Sequence, residues 1–500
     1  MKLTVRVLLL AFVCLFTAAR PARAHVGSKD VFQQVSAGPY KLFVTIRMPT
    51  VIPGVATVEA RSSGAAITGI HITPLPLTGE ASRHPPTADP MAASAADPAF
   101  FTGSIWLMAS GSWQVRFEIA GAAGAQTASI PVPAIAISTL KMQRGLAITL
   151  ALLGLFLVLS MAGIVAASVR EARLQPGATV SPGRRRRAIF ATAGSLVFMA
   201  LLLWGGAEWW NVEAAGYSLN VYHPMTVNPA LSGNQLDLHV LAYNPDSERR
   251  ARSNNDFLPD HGHLMHLYAI RKPEMDAAFH LHPVLVAPGD FRISLPAMPP
   301  GQYALYGDVV HANGFPETLV AKITVPANMP GGPLGDDDAA AHPQPLSQGQ
   351  LGSSYKLPDS YVMVWDRPQS ITANTAYAFR FRLLNADGQP AADMQPYLGM
   401  AGHAAFVKTD GTVFAHTHPE GSAAMASLML ANDSDPSTSA NSANSANMDM
   451  SKMDMPAHNE PISNTVEFPY GFPSSGRYRI FVQMKHHSAV ETGVFDATVQ

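Results

Sequence analysis

The sequence predicts a mainly β protein, in which three β-sandwich domains lie outside a membrane and two transmembrane α-helices separate the first domain from the second. Three observations carry this prediction. Short runs of alternating apolar and polar residues are interrupted by glycine and proline, two apolar runs reach about 20 residues, and residues 259–311 and 396–486 repeat one pattern of histidines.

Residues 1–24 have the pattern of a secretory signal. A basic start precedes the apolar run Leu8 to Phe16, and Ala22-Arg23-Ala24 gives a small-x-small cleavage site. We expect the mature chain to begin at His25. The single cysteine, Cys14, lies in the apolar run, so the mature chain is expected to hold no disulfide and no thiolate metal site.

The first outer segment, residues 25–142, alternates in short runs such as Tyr40 to Ile46 and Trp113 to Ile119. Alternation with period two places successive side chains on opposite faces of a strand, and closely spaced turn residues favour antiparallel neighbours. The segment is therefore predicted to form a β-sandwich.

Residues 146–167 and 188–207 are predicted to cross a bilayer. The loop between them, residues 168–187, carries six arginines against one glutamate, which the positive-inside rule places in the cytoplasm. Both outer segments then face the periplasm of a bacterial inner membrane. The formal net charge is -2, and the basic loop is too short for a binding domain, so no nucleic-acid partner is expected.

Two further sandwiches are predicted at residues 211–327 and 353–500. The segment between them, 328–352, is rich in proline and glycine and is expected to be an unpacked linker. An insertion at 421–461, built of Ser-Ala-Asn repeats and methionines, is expected to be disordered.

The internal repeat is seen in its spacings. Pro259 to His266 and Pro396 to His403 are both seven residues, and each copy continues with a His-x-His-Pro motif. A Gly-x-Tyr motif then precedes the last histidine of each copy by ten residues. The elements kept between the copies are mainly imidazoles, which copper, zinc and nickel favour as ligands.

Each copy is therefore predicted to bind a metal ion through four histidines, since residues i and i+2 of a strand share a face. The predicted ligands are His266, His280, His282 and His311 in the first copy and His403, His416, His418 and His486 in the second. Asp308 and Gln483, three residues before the last histidine of each copy, are expected to orient a ligand ring. His261, His263 and His487 add nitrogen donors nearby. The alternative is that these histidines are hydrogen-bonded structural residues.

Two more copper-binding features are predicted. A free N-terminal His25 would offer an amine and an imidazole to Cu(II), with His71 or His84 as third ligand. The insertion contains Met448, Met450, Met453 and Met455 followed by His458, and thioethers prefer Cu(I). The alternatives are a mobile N-terminus and a low-complexity tract with incidental methionines.

The stretch Asn385 to Pro390, with Pro396 to His403 and His416 to Pro419, resembles the YtkA-like family of small periplasmic immunoglobulin-like sandwiches. The first segment, with Pro53-Gly54 and Trp106 to Gln114, is similar to the FixH type, whose members accompany copper-oxidase assembly, and His25 resembles the start of copper-resistance CopC proteins. These resemblances imply immunoglobulin-like folds and copper handling.

The sequence thus predicts a membrane-anchored periplasmic protein that binds copper and delivers it to another periplasmic or membrane metalloprotein, or that confers resistance. Nucleophile-elbow, P-loop and H-E-x-x-H motifs are absent from the sequence, and no enzyme activity is predicted. One alternative is a scaffold protein of the envelope with structural histidines. A weaker alternative is a copper mono-oxygenase or oxidase that uses the His25 brace.

Overall fold

Six β-sheets and two long apolar helices form the structure, a computed structural model that describes residues 30–242, 252–433 and 462–500. The chain divides into two units. One contains residues 136–222 with both long helices, and the other contains the remaining described residues with all the sheets. The prediction of a mainly β protein with two apolar helices is confirmed.

The strands are β1 (Val31–Ala37), β2 (Tyr40–Arg47), β3 (Gly54–Ser62), β4 (Ile67–Pro76), β5 (Asp89–Pro90), β6 (Ala92–Ala93), β7 (Phe100–Leu107), β8 (Gly111–Gly121), β9 (Gly124–Ala134), β10 (Val227–Ser232), β11 (Gln235–Val240), β12 (Phe257–Leu258), β13 (His266–Lys272), β14 (Ala278–Leu281), β15 (Val284–Ala287), β16 (Asp290–Ser294), β17 (Gly301–His311), β18 (Pro316–Val325), β19 (Ala339–Ala341), β20 (Ser354–Lys356), β21 (Val362–Trp365), β22 (Tyr377–Leu384), β23 (Met394–Gln395), β24 (His403–Lys408), β25 (Phe414–Thr417), β26 (Thr465–Tyr470), β27 (Gly476–His486) and β28 (Ala489–Val499). The α-helices are α1 (Arg144–Glu171), α2 (Pro182–Ser218) and α3 (Met425–Asp433), and short 3-10 turns occupy Glu80–Arg83 and Leu346–Gln348.

The sheets pair into three two-sheet sandwiches, and in the second and third the facing sheets share one buried apolar cluster. The first sandwich joins sheet β1-β2-β3-β7-β6 to sheet β5-β4-β8-β9, where β4 contacts β7 and β1 contacts β9. The second joins β10-β11-β16-β15 to β12-β17-β13-β14-β19, with β18 beside β17. The third joins β20-β21-β22-β26 to β23-β27-β24-β25, with β28 beside β27.

The sequence repeat has the same strand register in both copies. His266 pairs with Asp308 between β13 and β17, and His403 pairs with Gln483 between β24 and β27. Each copy therefore places its first histidine opposite the residue three positions before its last histidine. The agreement in spacing noted in the sequence corresponds to two sandwiches built on one plan.

The second and third sandwiches pack against each other through the outer faces of their larger sheets. In β13 the side chains of Leu267 and Ala269 enter the core of the second sandwich, whereas Tyr268 and Ile270 point the other way. That second face forms a separate buried apolar cluster with residues of β24, β25, β27 and β28, such as Phe414. Both faces of these sheets are thus buried, which makes the contact between the two repeats a second core.

Helices α1 and α2 are long and apolar enough to cross a membrane. They extend beyond the predicted spans 146–167 and 188–207, because the helical backbone continues into the flanking basic and aromatic residues. Helix α2 begins with Pro182 at its first turn, and the Ser181 hydroxyl accepts a hydrogen bond from the Arg184 backbone N–H at 3.4 Å. These signals favour a helix start at this point.

Two segments expected to be unstructured are ordered in part. The segment 328–352 contains β19, which pairs with β14 at the edge of the second sandwich, and its Ala339 and Ala341 are buried. Within the insertion 421–461, helix α3 is formed and buries Ala426 and Ala431, whereas residues 434–461 lie outside the described residues. Small alanine side chains let both segments pack closely, which their overall polarity did not indicate.

The first sandwich holds the loop that follows the second His-x-His-Pro motif. Phe32 lies in the core of the third sandwich, and the Gln34 backbone N–H donates to the Glu420 carbonyl at 2.6 Å. Gly421 has a φ of +145°, and a Cβ at this residue would lie 2.2 Å from the Phe32 carbonyl oxygen. Only glycine fits this contact.

Gly421→Ala is therefore expected to lower the stability of this contact by about 1–3 kcal/mol. Thermal unfolding of the full-length protein in detergent measures the effect, with Gly69→Ala in β4 as the control, because no heavy atom lies within 4 Å of a Cβ at residue 69. Equal unfolding midpoints for the two variants would contradict the assignment.

Candidate metal centre

Eight histidines meet where the two repeats pack together. Five come from the second sandwich: two from the turn before β13, one from β13, one from β14 and one from the residue after β14. Three come from the third sandwich: one from β24, one from β25 and one from the residue after β25. They are His261, His263, His266, His280, His282, His403, His416 and His418, which we call the histidine centre.

Strand geometry explains why six of these side chains converge. His266 lies on the same face of β13 as Tyr268 and Ile270, the face that packs against the other repeat. The same alternation directs the His-x-His pairs of both copies to that face. The sequence therefore determined which face carries each histidine, and the packing of the two repeats brings the faces together.

A tight turn contributes the other two histidines. His261 and Gly262 have φ values of +50° and +86°, and Asp260 and His263 form a bridge across the turn. The second copy repeats this backbone with Leu398 at φ +52°. The first copy alone therefore carries imidazoles on the turn, and one of them reaches histidines of the other repeat.

The first trio consists of His266, His280 and His282, all buried. Nδ1 of His266 lies 3.1 Å from Nε2 of His280 and 3.2 Å from Nε2 of His282. Nitrogens that bind one tetrahedral ion at about 2.0–2.1 Å stand slightly more than 3 Å apart. These separations fit three imidazole ligands of a single ion.

The outer nitrogens of the first trio determine where its protons are. Nε2 of His266 lies 3.0 Å from the Asp260 carbonyl, and Nδ1 of His282 lies 3.0 Å from a carboxylate oxygen of Asp338, so both nitrogens must donate. Nδ1 of His280 lies 3.1 Å from the Tyr397 hydroxyl, whose own proton is donated to the Asp337 carbonyl. This nitrogen must donate as well.

When all three rings are neutral, their inner nitrogens turn lone pairs toward one another without a proton between them. A cation between the lone pairs, either a proton or a metal ion, removes the repulsion. Burial lowers the pKa values of His266 and His280 well below their usual range, which disfavours the proton. Rings oriented by an outer N–H donated to oxygen are typical of metal-binding histidines.

The second trio consists of His261, His403 and His418, whose candidate ligand nitrogens lie within 4.8 Å of one another. None of the six ring nitrogens makes a hydrogen bond of good geometry among the described residues. Backbone groups of Leu398 and Ala423 approach His261 and His418, respectively. A buried polar atom left without a partner lowers the free energy of unfolding by about 1–3 kcal/mol, so this trio destabilises the fold unless an ion binds it.

Asp308 and Gln483 contact the histidine centre, and each reaches across to the opposite repeat. The side-chain oxygen of Gln483 lies 2.9 Å from Nδ1 of His280, and a carboxylate oxygen of Asp308 lies 3.4 Å from Nδ1 of His416. The sequence predicted that these residues orient ligand rings. Each of the two residues contacts a histidine of the other repeat because the sheets of the two repeats pack face to face.

The electrostatics of the centre keep most of its rings neutral. Burial is the largest cause of a lowered pKa at His261, His263, His266, His280, His403 and His418. Neighbouring imidazoles add to the lowering at His266 and His403, since a second positive charge nearby is unfavourable. Neutral imidazole is the form that binds metals.

His311, predicted as the fourth ligand of the first copy, is not in the first trio. Its Nδ1 lies 2.9 Å from Asp256 and its Nε2 lies 3.1 Å from Glu317, which also pairs with Arg252. Burial acts against protonation, but the hydrogen bonds to the two carboxylates outweigh it and raise the pKa of His311. The prediction of a quartet is corrected here, because β17 carries His311 to carboxylates that use both ring nitrogens.

His486 is likewise not in the second trio. It lies with Asp393 and His487 in a separate group whose candidate ligand atoms fall within 4.8 Å of one another. Its nitrogens stand 3.2 Å from Asp359 and 3.4 Å from Asp393. The quartet predicted for the second copy is therefore corrected too, and His261 from the first copy joins His403 and His418 instead.

The remaining predicted donors are placed as follows. His25, Met448, Met450, Met453, Met455 and His458 lie outside the described residues. His71 is exposed in β4, and exposed His84 pairs with Glu80. Sequence reasoning missed Asp337, Asp338 and Tyr397, which orient the rings; the acidic run at 336–338, close after the first repeat, was the available signal.

Comparisons with known proteins add little beyond one domain. A family model described as a domain of unknown function (DUF8832) matches residues 356–500, which form the third sandwich. No curated protein matches the chain. The family match covers too little of the chain to assign the whole protein.

Solved structures include three with partial likeness. An engineered protein is 17% identical with a TM-score of 0.15 and coverage of 19% of this chain and 21% of that chain. Alpha-2-macroglobulin of E. coli is 10% identical with a TM-score of 0.20 and coverage of 95% and 23%. PorU of Porphyromonas gingivalis is 8% identical with a TM-score of 0.15 and coverage of 94% and 34%. The chain thus spans at most a third or so of each, and scores this low bear on neither fold nor function.

Proposed function

We propose that the protein is a membrane-anchored envelope protein that binds a transition-metal ion, copper first, in the histidine centre between its two repeats, and passes it to another metalloprotein or sequesters it for resistance. The observation that carries the proposal is the first trio, in which the inner nitrogens of His280 and His282 lie 3.1 and 3.2 Å from that of His266 while every outer nitrogen donates to oxygen.

The chemistry of the donors favours copper or zinc over harder ions. The trios contain imidazoles alone, and carboxylates stand behind the rings at Asp338 and Asp308. Magnesium and calcium prefer oxygen ligands, and copper(II) binds nitrogen sites most tightly among the divalent ions of the first transition row. The resemblance of residues 385–419 to YtkA-like sequences supports copper and an immunoglobulin-like fold for the sandwiches.

The two apolar helices and the basic loop between them support the proposed location. Under the positive-inside rule, the six arginines of residues 168–187 stay in the cytoplasm, and the three sandwiches face the periplasm. Binding a metal outside the inner membrane suits delivery to an envelope enzyme. Copper is the cargo in this proposal, and ligand exchange, rather than catalysis, releases it.

The competing function is an envelope scaffold with structural histidines. His311 is a specific observation in its favour, because both of its ring nitrogens are paired with carboxylates and need no metal. The first trio does not fit this explanation, since its inner nitrogens have one another as neighbours.

The test is metal retention by the full-length protein in detergent. We expect copper added as Cu(I) under reducing conditions to survive dialysis, and His266→Ala with His282→Ala to remove the ion bound by the first trio. His239→Ala is the matched control, because its ring is about half exposed and pairs with Asp290 away from the centre. Elemental analysis counts the copper per chain; wild-type protein that retains none would refute the proposal.

A further inference from the structure

We infer that the histidine centre holds two metal ions side by side, one in each trio. This inference rests on the proposed function and adds the number of ions and their proximity. Its basis is that the two trios share no residue, yet each brings three imidazole nitrogens within 4.8 Å of one another.

The second trio needs a ligand of its own. An ion in the first trio would bind the inner nitrogens of His266, His280 and His282. The ring nitrogens of His403 and His418 would still have no hydrogen-bond partner of good geometry among the described residues. Those residues are 0% and 4% exposed, and water reaches none of their ring nitrogens. A second cation accounts for this arrangement.

The two trios are direct neighbours. The ring centroids of His266 and His403 are 6.4 Å apart with nearly parallel planes. His416 stands between the trios, 5.3 Å from each of these two rings, and its Nε2 is buried without a hydrogen-bond partner. His416 is thus placed to contribute to either ion.

Carboxylates lie on the sides of both trios. Four carboxylates approach the rings of the centre from outside: Asp260, Asp308, Asp337 and Asp338. Asp337 and Asp338 serve the side of the first trio through His263 and His282, and Asp260 acts on His261 of the second trio. Asp260 is buried and the Asp338 side chain is 13% exposed, so each trio has a poorly solvated carboxylate on its side that favours a bound cation.

Copper(II) titration of the full-length protein in detergent tests the inference, with elemental analysis and electron paramagnetic resonance on the same samples. Wild-type protein should bind two ions per chain and show a spin-coupled spectrum, with a half-field transition or loss of integrated signal. Two uncoupled ions would overturn the side-by-side arrangement. One ion per chain in the first trio would overturn the inference while leaving the proposed function intact, and none would overturn both.

Matched variants assign each ion. His280→Ala with His282→Ala should keep one ion in the second trio, and His403→Ala with His418→Ala should keep one in the first, each with a full uncoupled signal. A coupled spectrum in either variant would contradict the assignment. The wild-type stoichiometry and spin count decide the matter even where a variant fails to fold.

Discussion

Acidification below pH 6.5 is expected to unfold the metal-free protein steeply. Four fully buried histidines have pKa values well below the ordinary 6.5: His266, His280, His403 and His418. Above pH 6.5 these groups are neutral in both the folded and the unfolded state. Below pH 6.5 these histidines bind protons in the unfolded chain but stay neutral in the folded chain. The free energy of unfolding therefore falls as the pH falls.

The expected magnitude is large. Each such group contributes about 1.4 kcal/mol per pH unit, so four contribute about 5 kcal/mol per pH unit until the pH reaches the lowered pKa values of the folded state. Total stability is commonly about 5–15 kcal/mol. The raised pKa of His311 has the opposite effect, because this group stabilises the folded state as the pH falls, but it is a single group.

Urea unfolding followed by circular dichroism between pH 7.5 and 5 measures this slope. Copper-loaded protein is the first comparison, because bound metal excludes protons from the ligand nitrogens and should shift the loss to lower pH. The double substitution His403→Asn with His418→Asn should lower the number of protons taken up on unfolding by up to two, which makes the fall of the unfolding free energy with pH shallower. A stability that stays level from pH 7 to 5.5 would show that the rings are not held neutral by burial.

Removing the guanidinium of Arg479 is the substitution expected to cost most stability. Arg479 is 0% exposed and makes two hydrogen bonds, at 2.8 and 2.9 Å, to Asp496, which is 2% exposed. It also donates to the carbonyl of Met275 in the second sandwich at 2.9 Å and to that of Gln344 in the segment between the repeats at 3.0 Å. The pair thus ties the third sandwich to the second.

Arg479→Leu should destabilise the protein by about 3–5 kcal/mol, because it leaves Asp496 charged and buried without its partner. Arg479→Leu combined with Asp496→Leu should recover part of the loss, since no unpaired charge remains. Arg380→Leu is the matched control, because its pair with Glu467 is largely exposed and is expected to contribute less than about 1 kcal/mol. Chemical unfolding midpoints compare the three variants, and equal losses for Arg479 and Arg380 would refute the argument.

Much of the architecture could be predicted from local patterns. Alternation with period two predicted β-structure because it reports which face of a strand is buried, and the apolar runs predicted α1 and α2 because their length and composition suit a membrane. The pattern failed where small residues decide packing. β19 and α3 bury alanines inside segments whose overall composition is polar.

The histidine centre was predictable only in part, for a geometric reason. Spacing within one copy shows that His280 and His282 share a face, but it does not show how far along the sheet His311 lies from them. β17 is eleven residues long, so its last residue is carried well beyond Asp308, which pairs with His266. Contacts between the copies, such as His261 with His403, leave no signal in the spacing of either copy.

The sequence by itself determined the duplicated strand plan, the two apolar helices and the face on which each histidine stands, because these depend on the periodicity of the backbone. The tertiary structure alone decided which histidines meet. The repeats pack through the outer faces of their larger sheets, so ligands are drawn from both copies, while Asp337 and Asp338 arrive from a segment between them. Convergence is a property of packing between distant parts of the chain, and no local pattern encodes it.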